Sequence, residues 1–145
     1  MVGAPLAVLL LAQLVPVRRE NPPVVHDAEA PPEVKAILRR ACYDCHSNET
    51  VWGPHTSVAP ISWLAAHDVS EGREELNFSR WGQERPGRVG RKLRHVLADG
   101  EMPPWIYVVG HPSARLSAAD QAALSAWADT LAAQRGGEER GRRGR

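Results

Sequence analysis

The chain has 145 residues, which is enough for one domain with irregular ends. Its formal net charge of +1 argues against nucleic-acid binding by the body of this domain. A hydrophobic fraction of 43% permits a core, but only one phenylalanine and two tyrosines accompany the five tryptophans. Twelve prolines and twelve glycines predict long irregular connections between a few helices.

The N-terminal segment, residues 1–20, is predicted to be a signal peptide or a membrane anchor. Residues 1–17 carry no charge. As a helix they would span about 25 Å, which is the lower limit for crossing a bilayer. We favour an anchor, because no small-x-small cleavage site follows the apolar run.

The first helix of the domain is predicted to begin at Pro32 or Glu33 and to end near residue 43. Residues 20–32 contain four prolines and are expected to form an extended linker. Proline is tolerated in a first helical turn, and an acidic side chain is favoured there. The apolar stripe, with the spacing i, i+3, i+4, i+7, consists of Val34, Ile37, Leu38 and Ala41.

Two further helices are predicted in the middle of the chain, over residues 60–75 and 86–98. The segment between them carries Phe78 and Trp81, which we expect to be buried. Asp99 and Gly100 end the second of these helices. The first of these helices carries apolar residues on one side, Ile61, Leu64, Ala65 and Val69. The predicted buried face of the second consists of Val89, Leu93, Val96 and Leu97.

The last helix is predicted over residues 117–134, beginning with a capping box formed by Ser117 and Asp120. Gly136 and Gly137 are expected to end it. The chain then divides into an N-terminal segment (1–20), a helical domain (21–134) and a disordered Arg/Gly-rich tail (135–145). The predicted buried stripe of this helix comprises Ala118, Leu124, Trp127, Ala128 and Leu131.

The two cysteines of the chain lie in the motif Cys42-Tyr43-Asp44-Cys45-His46. Two thiols separated by two residues and followed at once by a histidine have the spacing that attaches a c-type haem. Cysteines three residues apart on a helix end share roughly one face, so each sulfur can reach a vinyl group of the same porphyrin. His46 then falls beneath the ring, where its imidazole can ligate the iron.

Two other interpretations of the motif are weaker. A thioredoxin-like dithiol pair is expected in a βαβ setting, and no convincing strand pattern lies nearby. A structural zinc site needs four ligands. His46 and His55 could complete a Cys₂His₂ set, but the usual layout places its histidine pair at least a dozen residues after the cysteines.

The second axial position of the iron is assigned to Met102. Besides Met1, it is the only methionine, and it lies on a loop stiffened by Pro103 and Pro104. The order of attachment helix, middle helices, Met-Pro loop and last helix suits a single haem with His/Met ligation, which raises the reduction potential. His67 is the strongest rival among the histidines weighed, the others being His26, His55, His95 and His111.

Several short motifs together resemble the bacterial haem-binding domain family related to cytochrome c, over residues 21–131. They are Asn21-Pro22-Pro23, Cys42-Tyr43-Asp44-Cys45-His46-Ser47-Asn48-Glu49-Thr50, Ala59-Pro60-Ile61-Ser62-Trp63, Glu71-Gly72-Arg73, Leu76-Asn77-Phe78-Ser79 and Gly100-Glu101-Met102-Pro103-Pro104. The chain departs from the family at Trp52-Gly53-Pro54-His55, where Trp-Pro-Trp-Tyr is expected.

The resemblance implies one covalently bound haem, usually behind an N-terminal membrane segment. It assigns Cys42 and Cys45 as attachment sites, His46 as the proximal ligand and Met102 as the distal ligand. We expect the N–H of the second ring nitrogen of His46 to donate a hydrogen bond to a backbone carbonyl. Candidate donors to the haem propionates are Arg73, Arg80 and Trp105.

The fold expected is therefore all-α: a small cytochrome c-like domain of about four helices, in which the first helix crosses the last beside one covalent haem. With both axial positions filled, we expect an electron carrier rather than an enzyme, with redox proteins as partners and no nucleic acid. The alternative is a haem-based sensor or peroxidase-like module whose distal ligand is labile.

The expected location is the periplasmic side of the bacterial inner membrane, where haem is attached to this motif. The order of charges does not fit a periplasmic location, because Arg18 and Arg19 follow the apolar run and no basic residue precedes it. By the positive-inside rule that order would leave the domain in the cytoplasm. We give more weight to the motif and expect the natural start to lie upstream.

Overall fold

A computed structural model describes the backbone of residues 3–143 and the side chains of residues 3–134. Within this range the backbone is helical apart from turns, irregular segments and one parallel β-bridge between His26 and Arg80. The all-α class predicted from the sequence is confirmed. The α-helices are α1 (Gly3–Ala12), α2 (Pro32–Ala41), α3 (Tyr43–His46), α4 (Ile61–Glu75), α5 (Pro86–Ala98), α6 (Trp105–Gly110) and α7 (Ala118–Arg143).

The N-terminal segment forms a short helix, α1, followed by an extended stretch that contacts the domain. The leucines of α1 are exposed. None of the helices in the described part of the chain has the length and apolarity needed to cross a membrane. Residues 16–31 contain no helix, as the prolines predict. Val25 and His26 donate backbone hydrogen bonds of 3.0 and 3.1 Å to the carbonyl of Ser79.

Helix α2 begins at Pro32 and buries the predicted stripe of Val34, Ile37, Leu38 and Ala41. It ends at Ala41 rather than near residue 43, because Cys42 leaves the helical region with φ −128°. The chain then forms the single turn α3. The segment Cys42–His46, called the attachment motif after its predicted role, therefore forms its own short helical turn after α2.

Helix α4 buries only part of its apolar side. Val69 is buried, together with Ser62 and Gly72. Ile61 and Leu64, on the apolar side, are 49% and 48% exposed. Apolar spacing does not identify the contact with Cys45, because α4 makes it through Gly72.

Helix α5 matches its predicted bounds of 86–98 and ends in a Schellman motif. Gly100 has φ +67°, a left-handed conformation that glycine adopts without a steric penalty. The N–H of Glu101 donates to the carbonyl of Val96 at 3.0 Å, and that of Gly100 donates to Leu97 at 3.3 Å. These two hydrogen bonds satisfy the last carbonyls of the helix.

Helix α7 begins with the predicted capping box, in which Asp120 takes the place of the usual glutamate. The Ser117 N–H donates to Asp120 Oδ2 at 2.8 Å, and the Asp120 N–H donates to Ser117 Oγ at 3.1 Å. Leu124, Trp127, Ala128 and Leu131 are buried, whereas Ala118, included in the predicted stripe, is exposed.

The prediction that Gly136 and Gly137 end the last helix is wrong, because α7 continues to Arg143. A glycine costs a helix interior about 1 kcal/mol relative to alanine, and the Glu and Arg residues that follow favour the helix. The boundary between the helical domain and the tail, placed after residue 134, stays a prediction. Residues 144 and 145 of the predicted tail lie outside the described residues.

The last helix packs mainly on α5 and also contacts α2. The predicted contact between the first and last helices of the domain is therefore present, although α5 is the main partner of α7. Gly90 permits the close crossing, because a Cβ at this position would lie 2.3 Å from the carbonyl oxygen of Ala128.

Four aromatic rings form the centre of the core. Tyr43 stacks on Phe78 with 5.3 Å between ring centroids, Phe78 on Trp81 at 6.3 Å, and Trp81 on Trp127 at 5.8 Å. All four side chains are buried, which confirms the prediction for Phe78 and Trp81. This column extends from the attachment motif to α7, so the motif rests directly on the core.

Candidate haem site

The turn α3 brings the two thiols and the histidine of the motif together. The N–H of Cys45 and that of His46 both donate to the carbonyl of Cys42, at 3.2 and 2.9 Å. Cys42 and Cys45 are free thiols of intermediate exposure. One helical turn thus presents two sulfurs three residues apart, as attachment to a single porphyrin requires.

Both thiols remain protonated at neutral pH. Burial raises the pKa of Cys42 to about 12 and that of Cys45 to about 11. A dithiol redox pair depends on a thiolate with a lowered pKa. The environment of these cysteines therefore disfavours the thioredoxin-like interpretation.

The ring of His46 is oriented by two backbone carbonyls. Its Nδ1 lies 2.8 Å from Gly72 O and 3.1 Å from Leu76 O. Carbonyl oxygens only accept hydrogen bonds, so Nδ1 carries the proton and the neutral ring keeps its lone pair on Nε2. Burial lowers the pKa of His46, which favours this neutral form. Nε2 is thus the nitrogen free to bind a metal.

Gly72 allows α4 to approach the motif closely enough for these hydrogen bonds. A Cβ at this position would lie 2.5 Å from the carbonyl oxygen of Cys45 and 3.0 Å from its Cβ. The glycine of the Glu71-Gly72-Arg73 motif therefore has a steric role. It brings its own carbonyl to His46.

Arg73, which follows Gly72, joins the N-terminal linker to the loop after the motif. Its Nε donates to Ser47 O at 2.7 Å and its Nη1 to Glu20 O at 2.8 Å. Its Nη2 donates to Asn21 Oδ1 and to Thr50 Oγ1, each at 2.9 Å. Four of its five N–H groups are directed to the protein. These contacts give Arg73 a structural role, and its pairing with a haem propionate stays a prediction.

A buried polar network below the motif explains the Leu76-Asn77-Phe78-Ser79 motif. Asn77 Nδ2 donates to Asn48 Oδ1 at 2.9 Å, and the Asn48 N–H donates to Ser79 Oγ at 2.9 Å. The Phe78 N–H donates to His46 O at 2.7 Å. Every buried side-chain polar atom in the described residues has a hydrogen-bond partner, which is the condition for burying such groups without a large penalty.

Met102 lies in the loop between α5 and α6 and is 39% exposed. Helix α6 directly after it was not predicted, since six residues are too few for a periodic pattern. The hydroxyl of Tyr107 on α6 donates to Asp44 Oδ2 at 2.7 Å, which ties this part of the chain to the attachment motif.

The histidines considered as alternative ligands contact other side chains. His67 is 62% exposed, with its Nε2 3.4 Å from Glu71 Oε1. His55 lies against His111, with 5.9 Å between ring centroids. No cluster of three or more His, Cys, Asp and Glu side chains that could hold a metal ion occurs among the described residues. The hypothesis of a Cys₂His₂ zinc site therefore finds no support in this part of the chain.

Beyond residue 25, the exposed large apolar side chains of the described residues all lie in two segments, residues 51–64 and 102–109. The contact between His55 and His111 and the bond between Tyr107 and Asp44 bring these segments towards each other. Together with two thiols and one free imidazole nitrogen, such a surface has the donor set and apolar character that fit a haem. The exposed side chains are Val51, Val58, Ile61, Trp63 and Leu64 in the first segment, and Met102, Trp105, Ile106 and Val109 in the second.

Comparison with known families agrees with this site. The family model described as a haem-binding domain matches residues 7–130, and the chain belongs to this family. No match was found among curated proteins or among solved structures. The fold and the site thus define an all-α protein of a haem-binding class.

Proposed function

We propose that the chain is a c-type cytochrome that holds one covalent haem and transfers single electrons. The observation that carries this proposal is the geometry of the motif. His46 Nε2 is free because Nδ1 is bound to Gly72 O and Leu76 O, and two protonated thiols lie within the preceding turn. Cys42 and Cys45 would hold the porphyrin, His46 the proximal side of the iron, and Met102 the distal side.

Each residue has a defined task in this proposal. The thiols of Cys42 and Cys45 would hold the porphyrin through thioether bonds to its two vinyl groups. His46 keeps its proton on Nδ1 and offers Nε2. The haem, when bound, supplies one-electron chemistry, and the protein supplies ligation, orientation and exclusion of water.

We further propose that the protein acts as an electron carrier for redox proteins at the periplasmic face of the inner membrane, with its N-terminal segment at the membrane. The exposed leucines of α1 support the membrane contact. The attachment motif supports the location, since this chemistry takes place outside the cytoplasm. No nucleic-acid partner is expected from a net charge of +1.

Covalent attachment is tested by mass spectrometry of protein expressed with a c-haem maturation system. We expect the mass of one haem added to the chain, resistant to acid–organic extraction. Cys42→Ser/Cys45→Ser should lose this added mass. A colourless wild-type protein of unmodified mass would overturn the proposal.

Axial ligation is tested by the visible spectrum of Met102→Ala beside wild type. We expect the variant to keep its covalent haem but to lose the weak far-red band of an oxidised iron–thioether bond. A high-spin spectrum already in the wild-type protein would instead support the alternative of a sensor or peroxidase-like module. His67→Ala is the matched control and should leave the spectrum unchanged.

A further inference from the structure

Helix α6 follows the Met102 loop and has no support from the core. None of its residues is buried, and Trp105 and Val109 are 76% and 69% exposed. A helix of six residues is not stable by itself in water. Its position must therefore depend on a small number of specific contacts.

The contact of α6 with the attachment motif is made by Tyr107. Its hydroxyl donates to Asp44 Oδ2 at 2.7 Å, and Asp44 lies between the two cysteines. Burial, and then the hydrogen bond and charge of Asp44, raise the pKa of Tyr107, so the hydroxyl keeps its proton and acts as donor. The His111 ring stacks on Tyr107 with 4.2 Å between centroids, which restricts the tyrosine ring further.

Asp44 is itself held firmly. Its second carboxylate oxygen, Oδ1, accepts the N–H of Val51 at 2.9 Å. Its backbone carbonyl accepts the Thr50 hydroxyl at 2.6 Å. The acceptor of the Tyr107 bond is thus fixed to the motif and to the loop that follows it, and it cannot move with α6.

We propose that Tyr107 is a positioning residue: its hydrogen bond to Asp44 holds α6, and through it Met102, at a set distance from the attachment motif. The inference rests on the proposed function, in which Met102 is the distal ligand. Only four residues separate Met102 from Tyr107, and two of them are prolines that limit backbone freedom. A displacement of α6 would therefore also move the thioether of Met102.

The far side of α6 has a separate attachment. Nη1 of Arg40 on α2 donates to Ser113 O at 2.7 Å and to Arg115 O at 3.2 Å, just after α6. This contact does not involve Tyr107. Loss of the tyrosine hydroxyl should consequently free the Met102 side of α6 while the rest of the domain keeps its fold.

The test compares Tyr107→Phe with Tyr43→Phe in the haem-loaded full chain. Tyr43 is a matched control, because its hydroxyl also donates to an aspartate, Asp27 Oδ1 at 2.5 Å, but this aspartate lies in the segment before α2. Imidazole is titrated into the oxidised proteins and its binding is followed by the visible spectrum. We expect Tyr107→Phe to bind imidazole about tenfold more tightly than Tyr43→Phe, the change expected for one charge-assisted hydrogen bond.

Equal imidazole affinities for the two variants would overturn the positioning role while leaving the proposed cytochrome function intact. Met102→Ala, titrated in parallel, separates the two failures. An unchanged spectrum in that variant would show that Met102 is not on the iron, and it would overturn both the distal assignment and this inference. If Tyr107→Phe is poorly produced, Asp44→Asn replaces it in the test. This variant removes the charge of the acceptor and should also tighten imidazole binding.

Discussion

The proton of His46 is placed by backbone carbonyls rather than by titratable side chains. Because the carbonyls of Gly72 and Leu76 can only accept, the tautomer with a free Nε2 is favoured whenever the ring is neutral. The usual requirement of a ligating histidine, a partner for its other nitrogen, is thus met by the fold. The expectation of a backbone acceptor for His46 is confirmed.

The hydrogen bonds of His46 Nδ1 depend on Gly72. Gly72→Ala is expected to lower the free energy of unfolding by about 1–3 kcal/mol, as for other overpacked sites. The added methyl group would lie 2.5 Å from Cys45 O, so α4 must move away and its carbonyl must leave Nδ1. Urea unfolding followed by haem absorbance measures the change.

Gly110→Ala is the control for this substitution, since a Cβ there meets nothing within 4 Å. It should change the unfolding free energy by much less. If Gly72→Ala were as stable as Gly110→Ala, the close packing of α4 on the motif would not be required.

At the scale of elements, the start of α7 combines a capping box with an ion pair to α2. Asp120 Oδ2 accepts from Ser117 and lies 2.6 Å from Arg40 Nη2. The same carboxylate thus caps one helix and connects it to another. Its hydrogen bonds with Arg40 and Ser117 lower the pKa of Asp120 from 3.8 to about 2.

This shift predicts how stability depends on pH. The unfolded chain binds a proton at Asp120 at higher pH than the folded chain does, so the contribution of Asp120 is present above about pH 4 and is lost as the pH falls towards 2. We expect Asp120→Asn to lose less stability than wild type over this window in thermal unfolding measurements. Asp129→Asn, on the same helix, is the control; a wild-type-like pH profile for Asp120→Asn would contradict the prediction.

At the scale of the whole molecule, Arg73 connects three parts of the chain that are distant in sequence. It binds the linker at Glu20 and Asn21 and the loop at Ser47 and Thr50, from a position on α4. The N-terminal segment is therefore attached to the domain beside the haem site. Gln13 adds a second attachment, since its amide exchanges hydrogen bonds with the backbone of Ala59.

Arg73→Ala is expected to loosen the N-terminal segment and to raise the rate of trypsin cleavage after Arg18 and Arg19 by about tenfold. A tenfold change corresponds to about 1.4 kcal/mol, the value expected for the hydrogen bonds that are lost. Mass spectrometry of the fragments gives the rate. Arg73→Lys should behave similarly, because a lysine cannot reproduce the planar fork of donors.

Arg80→Ala is the matched control for Arg73, because its side chain is exposed on the segment that follows α4. Equal cleavage rates for the two alanine variants would indicate that Arg73 does not hold the linker.

An aromatic column forms the centre of the core. The column of Tyr43, Phe78, Trp81 and Trp127 connects the motif to α7 through protein side chains alone. The exposed apolar residues of the candidate haem surface are not part of this core cluster.

The sequence by itself determined the features that are encoded within a few neighbouring residues. The stripe of α2, the bounds of α5, the capping box of α7 and the Cys42–His46 motif all follow from short-range spacing and capping chemistry. Their physical basis is local, because a helical repeat or a cap needs only three or four residues to be defined.

Only the tertiary structure decided how segments far apart in sequence meet. His46 finds its acceptor 26 residues away and Tyr107 finds Asp44 at a separation of 63 residues, distances at which no periodic pattern operates. The approach of α4 to Cys45 was not predicted for the same reason, since a glycine provides the contact. Apolar periodicity predicts which side of a helix can be buried, whereas close backbone approach depends on the partner that the fold supplies.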